Sequence, residues 1–180
     1  FTELSKYMKR EFFKEHCNYY IYTKNQNYKA TIYSCYTIGI NKEENNIKSI
    51  SLLHNNAHLL DDCVVCGSRG WFYDEKQQKT VGDVDYEKIV AREAQRLEIS
   101  IKAAEELREQ NPDFPILVFL HFPPVYADCV CDKILDVLKN HNIKNCFYGH
   151  IHNNYSIPRE FEYDGISFTM VAADYLNFAP

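Results

Sequence analysis

The sequence lacks several features that would assign it to a broad functional class. No run approaches the roughly 18 consecutive apolar residues of a membrane span, and no charged segment followed by an apolar one marks a secretory signal. Repeats, linkers and low-complexity tracts are also absent. Lys and Arg number 20 against 25 Asp and Glu, and the resulting net charge of −5 gives no general footprint for nucleic acid. We therefore expect neither a membrane nor a nucleic-acid partner, and the oligomeric state stays open.

A disulfide framework is not indicated either. The seven cysteines are an odd number, which without a leader peptide favours a reducing, cytoplasmic location. At 180 residues, with 46% apolar and 25% charged residues, the chain has the length and composition of one soluble globular domain. It begins at Phe1 instead of Met, which leaves room for an upstream segment.

Two apolar stretches that stop at histidine carry the strongest functional signal. They are Ile116–Pro124 (ILVFLHFPP) and Asn145–His152 (NCFYGHIH). Short runs of β-branched and aromatic residues predict buried strands, so His121, His150 and His152 are predicted at strand ends, where sites form in α/β sheets. Gly149 is expected to turn the chain, and an extended backbone would send the last two imidazoles to one side. Neutral imidazoles are common metal ligands, although a single strand-end histidine is more often a hydrogen-bonded structural residue.

The remaining pattern predicts an α/β fold. A helix is predicted from Val84 to Gln110, capped by Asp83 or Asp85, with a charged face exposed to solvent. The other predicted elements are a helix over Thr2–Cys17, a tyrosine-rich strand segment over Asn18–Ile40, strands over Ser49–Leu53 and His58–Cys66 joined at Asn55-Asn56, a strand–helix–strand unit over Ile116–His121, Asp132–Asn140 and Asn145–Tyr148, and a hairpin at Asp164-Gly165.

Two further groups of residues leave alternatives open. The segment Gly67–Trp71 is predicted to be a loop in which Arg69 either reaches a phosphate oxygen or pairs with a carboxylate. Two close cysteine pairs, Cys63 with Cys66 and Cys129 with Cys131, have the residue types of a zinc site, but their spacing favours packing as small apolar side chains.

Four blocks together resemble the carboxyl-terminal part of bacterial calcineurin-like metallophosphoesterases. In order along the chain they are Gly67-Ser68-Arg69-Gly70-Trp71, Leu120-His121-Phe122-Pro123-Pro124, Tyr148-Gly149-His150-Ile151-His152 and Ala173-Asp174-Tyr175-Leu176-Asn177-Phe178. The resemblance covers residues 44–180 and leaves 1–43 as a divergent amino-terminal segment of a single, partial domain.

The resemblance implies the carboxyl-terminal half of a four-layer α/β/β/α sandwich with mixed sheets. It also implies hydrolysis of a phosphate ester by water activated at two divalent metal ions, of manganese, iron or zinc. Carried over by position, His121 and His150 resemble ligands of one ion, and His152 resembles a ligand of the other.

The upstream half of the family's site cannot be placed. No aspartate precedes Asp61 and only Gly39 precedes Gly67, so the family's Asp-x-His, Gly-Asp-x-x-Asp and Gly-Asn-His-Asp motifs are missing, and with them the catalytic acid. We expect at most one weakly held ion and little or no activity from this chain alone. Two hypotheses follow: an enzyme whose other catalytic half lies upstream, or a non-catalytic remnant of the fold that serves as a binding or structural module.

Overall fold

The computed structural model describes residues 32–33, 51–53, 55–79 and 85–177. The predicted helix over Thr2–Cys17 and almost all of the tyrosine-rich segment lie outside these residues. Within that segment, strand β1 (Ile32–Tyr33) pairs in parallel with β2 (Ser51–Leu52). The proposed division at residues 43 and 44 also lies outside the described part.

The described residues form a mixed α/β structure around a six-stranded sheet. Its elements in chain order are β3 (Ala57–Leu59), β4 (Val64–Ser68), α1 (Glu75–Lys79), α2 (Tyr86–Arg108), β5 (Ile116–Leu120), β6 (Val125–Tyr126), β7 (Cys129–Val130), α3 (Asp132–Asn140), β8 (Asn145–Tyr148), β9 (Glu160–Tyr163) and β10 (Ile166–Met170). The strand order is β3-β4-β5-β8-β10-β9. Strands β4, β5, β8 and β10 run parallel, and the two edge strands pair antiparallel to their neighbours. The α/β prediction is confirmed at this level.

Helices α2 and α3 pack on one face of the sheet. Their apolar side chains join the alternate residues of β4, β5, β8 and β10 in the main core, which includes Leu97, Ile134, Val118 and Phe168. The opposite face carries a smaller cluster around Val65 and Phe119. The sequence separates these faces because successive side chains of a strand point to opposite sides.

The close packing of α2 against β4 depends on two small residues. Ser100 Oγ accepts a hydrogen bond from the Gly67 backbone N–H at 2.8 Å and lies 2.5 Å from the carbonyl oxygen of Asn56. A Cβ atom at Gly67 would lie 1.9 Å from the carbonyl oxygen of Phe119, which is far inside van der Waals contact. Only glycine therefore fits beside the β5 backbone at this position.

Most predicted elements agree with the structure, but one strand and one loop do not. The predicted strand His58–Cys66 is wrong, because the chain turns at the exposed Asp61 and Asp62 and returns as β4, antiparallel to β3. Gly67 and Ser68 belong to β4, so the predicted loop starts later than expected.

The described residues account for only part of the predicted four-layer architecture. One six-stranded sheet with helices on one face is present, and the four-layer sandwich stays a prediction. Among the helices of the described ranges, none has both the length and the apolar character needed to cross a bilayer.

Candidate metal centre at the carboxyl edge of the sheet

Three parallel strands end side by side at the candidate site. Arg69, His121 and Gly149 follow β4, β5 and β8 directly. The backbone N–H groups of His121 and Phe122 donate to the Arg69 carbonyl oxygen at 3.0 and 3.1 Å, and the Gly149 N–H donates to the His121 carbonyl oxygen at 3.2 Å. The backbone pairing of the sheet therefore continues one residue beyond the strands and fixes the position of His121 between its neighbours.

The structure brings His121 and His150 into direct contact. His150 Nδ1 lies 3.1 Å from His121 Nε2, and the ring centroids are 4.9 Å apart with the planes at 73°. Phe122 packs against both rings, with centroid distances of 4.5 Å to His121 and 4.4 Å to His150. Phe72 meets His150 edge-on at 5.5 Å. The two imidazoles thus meet at the end of the sheet beside aromatic side chains.

Both imidazoles are neutral near pH 7. Burial, with smaller contributions from His150 and His152, lowers the pKa of His121 from its ordinary value of 6.5 to about 3. Burial and His152 lower the pKa of His150 to about 4. Neutral imidazole offers a nitrogen lone pair, which is the form in which histidine binds metal ions.

The turn before the histidine pair differs from the expectation. The left-handed residue is His150 itself, with φ 65°, and the Ile151 N–H closes a tight turn onto the Gly149 carbonyl oxygen at 2.7 Å. The prediction of an extended backbone at His150 is therefore wrong. A non-glycine residue in this region costs conformational energy, and such residues cluster at functional sites.

His152 is held separately by a carboxylate. Its Nδ1 lies 2.7 Å from Asp174 Oδ1, while Asp174 Oδ2 accepts from the Asn153 N–H at 3.0 Å and from the Tyr155 hydroxyl at 3.3 Å. Desolvation alone would raise the pKa of Asp174, but the hydrogen bonds from Asn153 and His152 outweigh it and lower that pKa. With Nδ1 engaged, the other ring nitrogen of His152 is left for a ligand.

Asp174 has no role that the sequence alone assigns. It lies 22 residues from His152 in sequence, and only its place in the fourth family-like block singled it out.

The donor set fits one ion better than two. Nitrogens 3.1 Å apart, each about 2.0 to 2.1 Å from a shared ion, subtend an angle of about 100°, between the octahedral and tetrahedral values. Across residues 55–79 and 85–177, no three His, Cys, Asp or Glu side chains are grouped as a ready metal site. His121 and His150 could therefore supply two nitrogen ligands, and a complete metal site would need further ones.

Arg69 pairs with a carboxylate, which is one of the two alternatives that the sequence left open. Its Nη2 donates to Glu93 Oε1 at 3.0 Å, and its guanidinium lies 4.4 Å from the Trp71 ring centroid. Glu93 is fully buried, so the charged residues of α2 are not confined to its solvent-exposed face. The sequence did contain a signal, because Glu93 lies three residues after Val90 and four before Leu97 on the apolar stripe.

The four cysteines considered for zinc have different environments. Cys66 belongs to the main core and Cys63 to the smaller cluster on the other face of the sheet. Burial raises the pKa of Cys63 to about 11 and also raises that of Cys66 and Cys131. Burial therefore favours the protonated thiol over the thiolate that binds zinc.

No protein-family model, curated protein or solved structure matches this chain.

Proposed function

We propose that this chain carries the histidine half of a metal-dependent phosphoesterase centre, in which metal-activated water hydrolyses a phosphate ester. The observation that carries the proposal is the 3.1 Å hydrogen bond between His121 Nε2 and His150 Nδ1, because a metal ion that replaces the shared proton would find two nitrogens at the separation of neighbouring ligands. The family-like blocks around these residues supply the reaction class.

In this proposal each side chain has a defined task. His121 and His150 hold the ion, and Phe72 and Phe122 restrict water on one side of the pair. Asp174 orients His152 through Nδ1, so that Nε2 is the nitrogen directed to a ligand. A bound divalent ion would lower the pKa of its water and polarise the phosphoryl oxygen.

The finer assignments belong to the proposal as well. The six-stranded sheet would be one half of a four-layer sandwich, and the remaining ligands would come from residues upstream of the family-like region. The substrate would be a phosphate ester, and the proposed compartment is the cytoplasm.

One observation favours a second candidate, a non-catalytic binding module. Asp174 contacts His152, and both of its carboxylate oxygens accept hydrogen bonds within the described part of the chain. Two dications need carboxylates between them to offset their repulsion. A site that holds one ion by imidazoles would bind the metal without assembling the full catalytic centre.

Titration of the purified chain with Mn²⁺ and Zn²⁺, followed by calorimetry, tests the proposal. We expect about one ion per chain, and loss of that binding in His150→Ala. The control is His141→Ala, which removes a histidine paired with Glu105 on the helical side of the sheet. Metal binding that is unchanged in His150→Ala would refute the proposed centre.

Hydrolysis of p-nitrophenyl phosphate by the same samples separates the two candidates. We expect little or no turnover by the 180-residue chain and turnover by a longer parent that supplies the upstream motifs. A longer parent that binds metal but remains inactive would favour the binding module.

A further inference from the structure

Three arginines converge on one buried carboxylate next to the candidate metal centre. Arg69 Nη2 and Arg96 Nη1 donate to Glu93 Oε1 at 3.0 and 2.7 Å, and Arg92 Nε lies 3.8 Å from the same oxygen. The Glu93 side chain is 0% exposed, whereas those of Arg69, Arg92 and Arg96 are 37%, 54% and 32% exposed. The Glu93 carboxylate is thus buried beneath the three guanidinium groups, which are partly exposed to solvent.

The arginine group has an excess of positive charge. Three guanidiniums face one carboxylate, and within the described ranges the ion pairs of Arg69, Arg92 and Arg96 all go to Glu93. This local excess of two positive charges lies in a chain whose net charge is −5. A bound anion would offset the repulsion between the guanidiniums.

The donors of the group are only partly used. Each guanidinium carries five N–H donors, and Glu93 Oε1 occupies one from Arg69 and one from Arg96. Arg69 Nε is buried and has no hydrogen-bond partner among the described residues. The Arg69 guanidinium carbon lies 4.4 Å from the Trp71 ring centroid, and this cation–π contact favours its position beside Glu93.

The group lies at the same edge of the sheet as the histidines. Arg69 follows β4, and its carbonyl oxygen accepts from the backbone of His121. Glu93 lies in the first half of α2, opposite the carboxyl end of β4, while Ser100 contacts Gly67 further back along the strand. A ligand bound by His121, which follows β5, would therefore lie one strand away from Arg69, which follows the neighbouring strand β4.

We propose that Arg69, Arg92 and Arg96 form a binding site for a phosphate dianion. Planar guanidinium forks match the paired oxygens of phosphate, and their hydrogen bonds to an anion are charge-assisted. The dianion is either the free ion or the phosphoryl group of an ester. The site deepens the proposed phosphoesterase function by giving its substrate or product a contact that the metal does not supply.

Binding of inorganic phosphate, measured by calorimetry with EDTA present, tests this site independently of the metal. The informative variant is Arg92→Gln, because Arg92 is the most exposed of the three arginines and Glu93 keeps its hydrogen bonds to Arg69 and Arg96. The matched control is Arg108→Gln, the same change in the last turn of α2. We expect millimolar or tighter binding, weakened about tenfold by Arg92→Gln and unchanged by Arg108→Gln.

Repeating the titration with phenyl phosphate identifies the source of the dianion. Binding of the ester as well as the ion assigns the site to substrate, and binding of the ion alone assigns it to product phosphate. No binding of either compound, or equal binding by Arg92→Gln and Arg108→Gln, would overturn the proposal. Because EDTA removes metal, this failure is distinct from loss of the histidine centre.

Discussion

Replacing His121 with glutamine, a side chain that does not titrate, should make the protein less sensitive to acid. Burial lowers the pKa of His121 from 6.5 to about 3, so the folded state keeps this imidazole neutral at pH 5. In the unfolded chain the same imidazole binds a proton as the pH falls below 6.5. The unfolded state therefore takes up more protons, and the free energy of unfolding decreases from pH 6.5 down to about pH 3.

The size of the effect follows from these two pKa values. Between pH 7 and pH 5, His121 alone should remove about 2 kcal/mol from the stability of the wild-type protein. His150, whose pKa is lowered to about 4, should act in the same direction in both proteins. The wild type should consequently lose about 2 kcal/mol more than His121→Gln over this interval.

Urea unfolding at pH 7 and pH 5, with EDTA present and followed by the fluorescence of Trp71, measures the difference. Trp71 is the only tryptophan, and its indole N–H donates to Gln78 at 2.7 Å, so its emission should report loss of the folded state. Equal slopes of free energy against urea concentration would show that both proteins undergo the same transition. Stability losses that match in the two proteins would refute the assignment of a buried, neutral His121.

Three other substitutions test the packing and the site. Gly67→Ala should cost at least about 3 kcal/mol in chemical denaturation, since its Cβ would lie 1.9 Å from the Phe119 carbonyl oxygen, and a loss below 1 kcal/mol would contradict that geometry. Glu93→Gln should cost about 3 kcal/mol by the same measurement because it leaves three guanidiniums without a buried counter-charge, and a neutral result would argue against the ion pairs. Asp174→Asn releases His152, and with His152 as a further ligand of the ion held by His121 and His150 it should weaken Mn²⁺ binding about tenfold in calorimetry, with stability nearly unchanged, whereas unaltered affinity would exclude this orienting role.

The sequence by itself determined the helices and strands that have a strong hydrophobic periodicity or a clear capping residue. Strand β8 and helix α3 occupy the predicted Asn145–Tyr148 and Asp132–Asn140, and β5 ends one residue before the predicted limit. Helix α2 starts at its Asp85 cap, whose side chain accepts from the Lys88 N–H. These features are local, because capping and hydrophobic periodicity act within a few residues.

Short elements and turns were less predictable. The prediction placed one strand across the Asp61-Asp62 turn, since the apolar residues on both sides suit a strand equally well. The hairpin of β6 and β7, two residues in each strand, gave no usable pattern. His150 adopts a left-handed conformation at the position after Gly149, where the glycine was expected to make the turn.

The sequence alone selected His121, His150 and His152, but only the tertiary structure decided their partners. Parallel pairing of Leu120 with Tyr148 places the residues that follow them side by side, and this register brings the two imidazoles to 3.1 Å. The packing of α2 on β4 likewise buries Glu93 under Arg69, 24 residues away in sequence. Such contacts depend on strand register and helix docking, which are set by burial of the whole core and not by any local pattern.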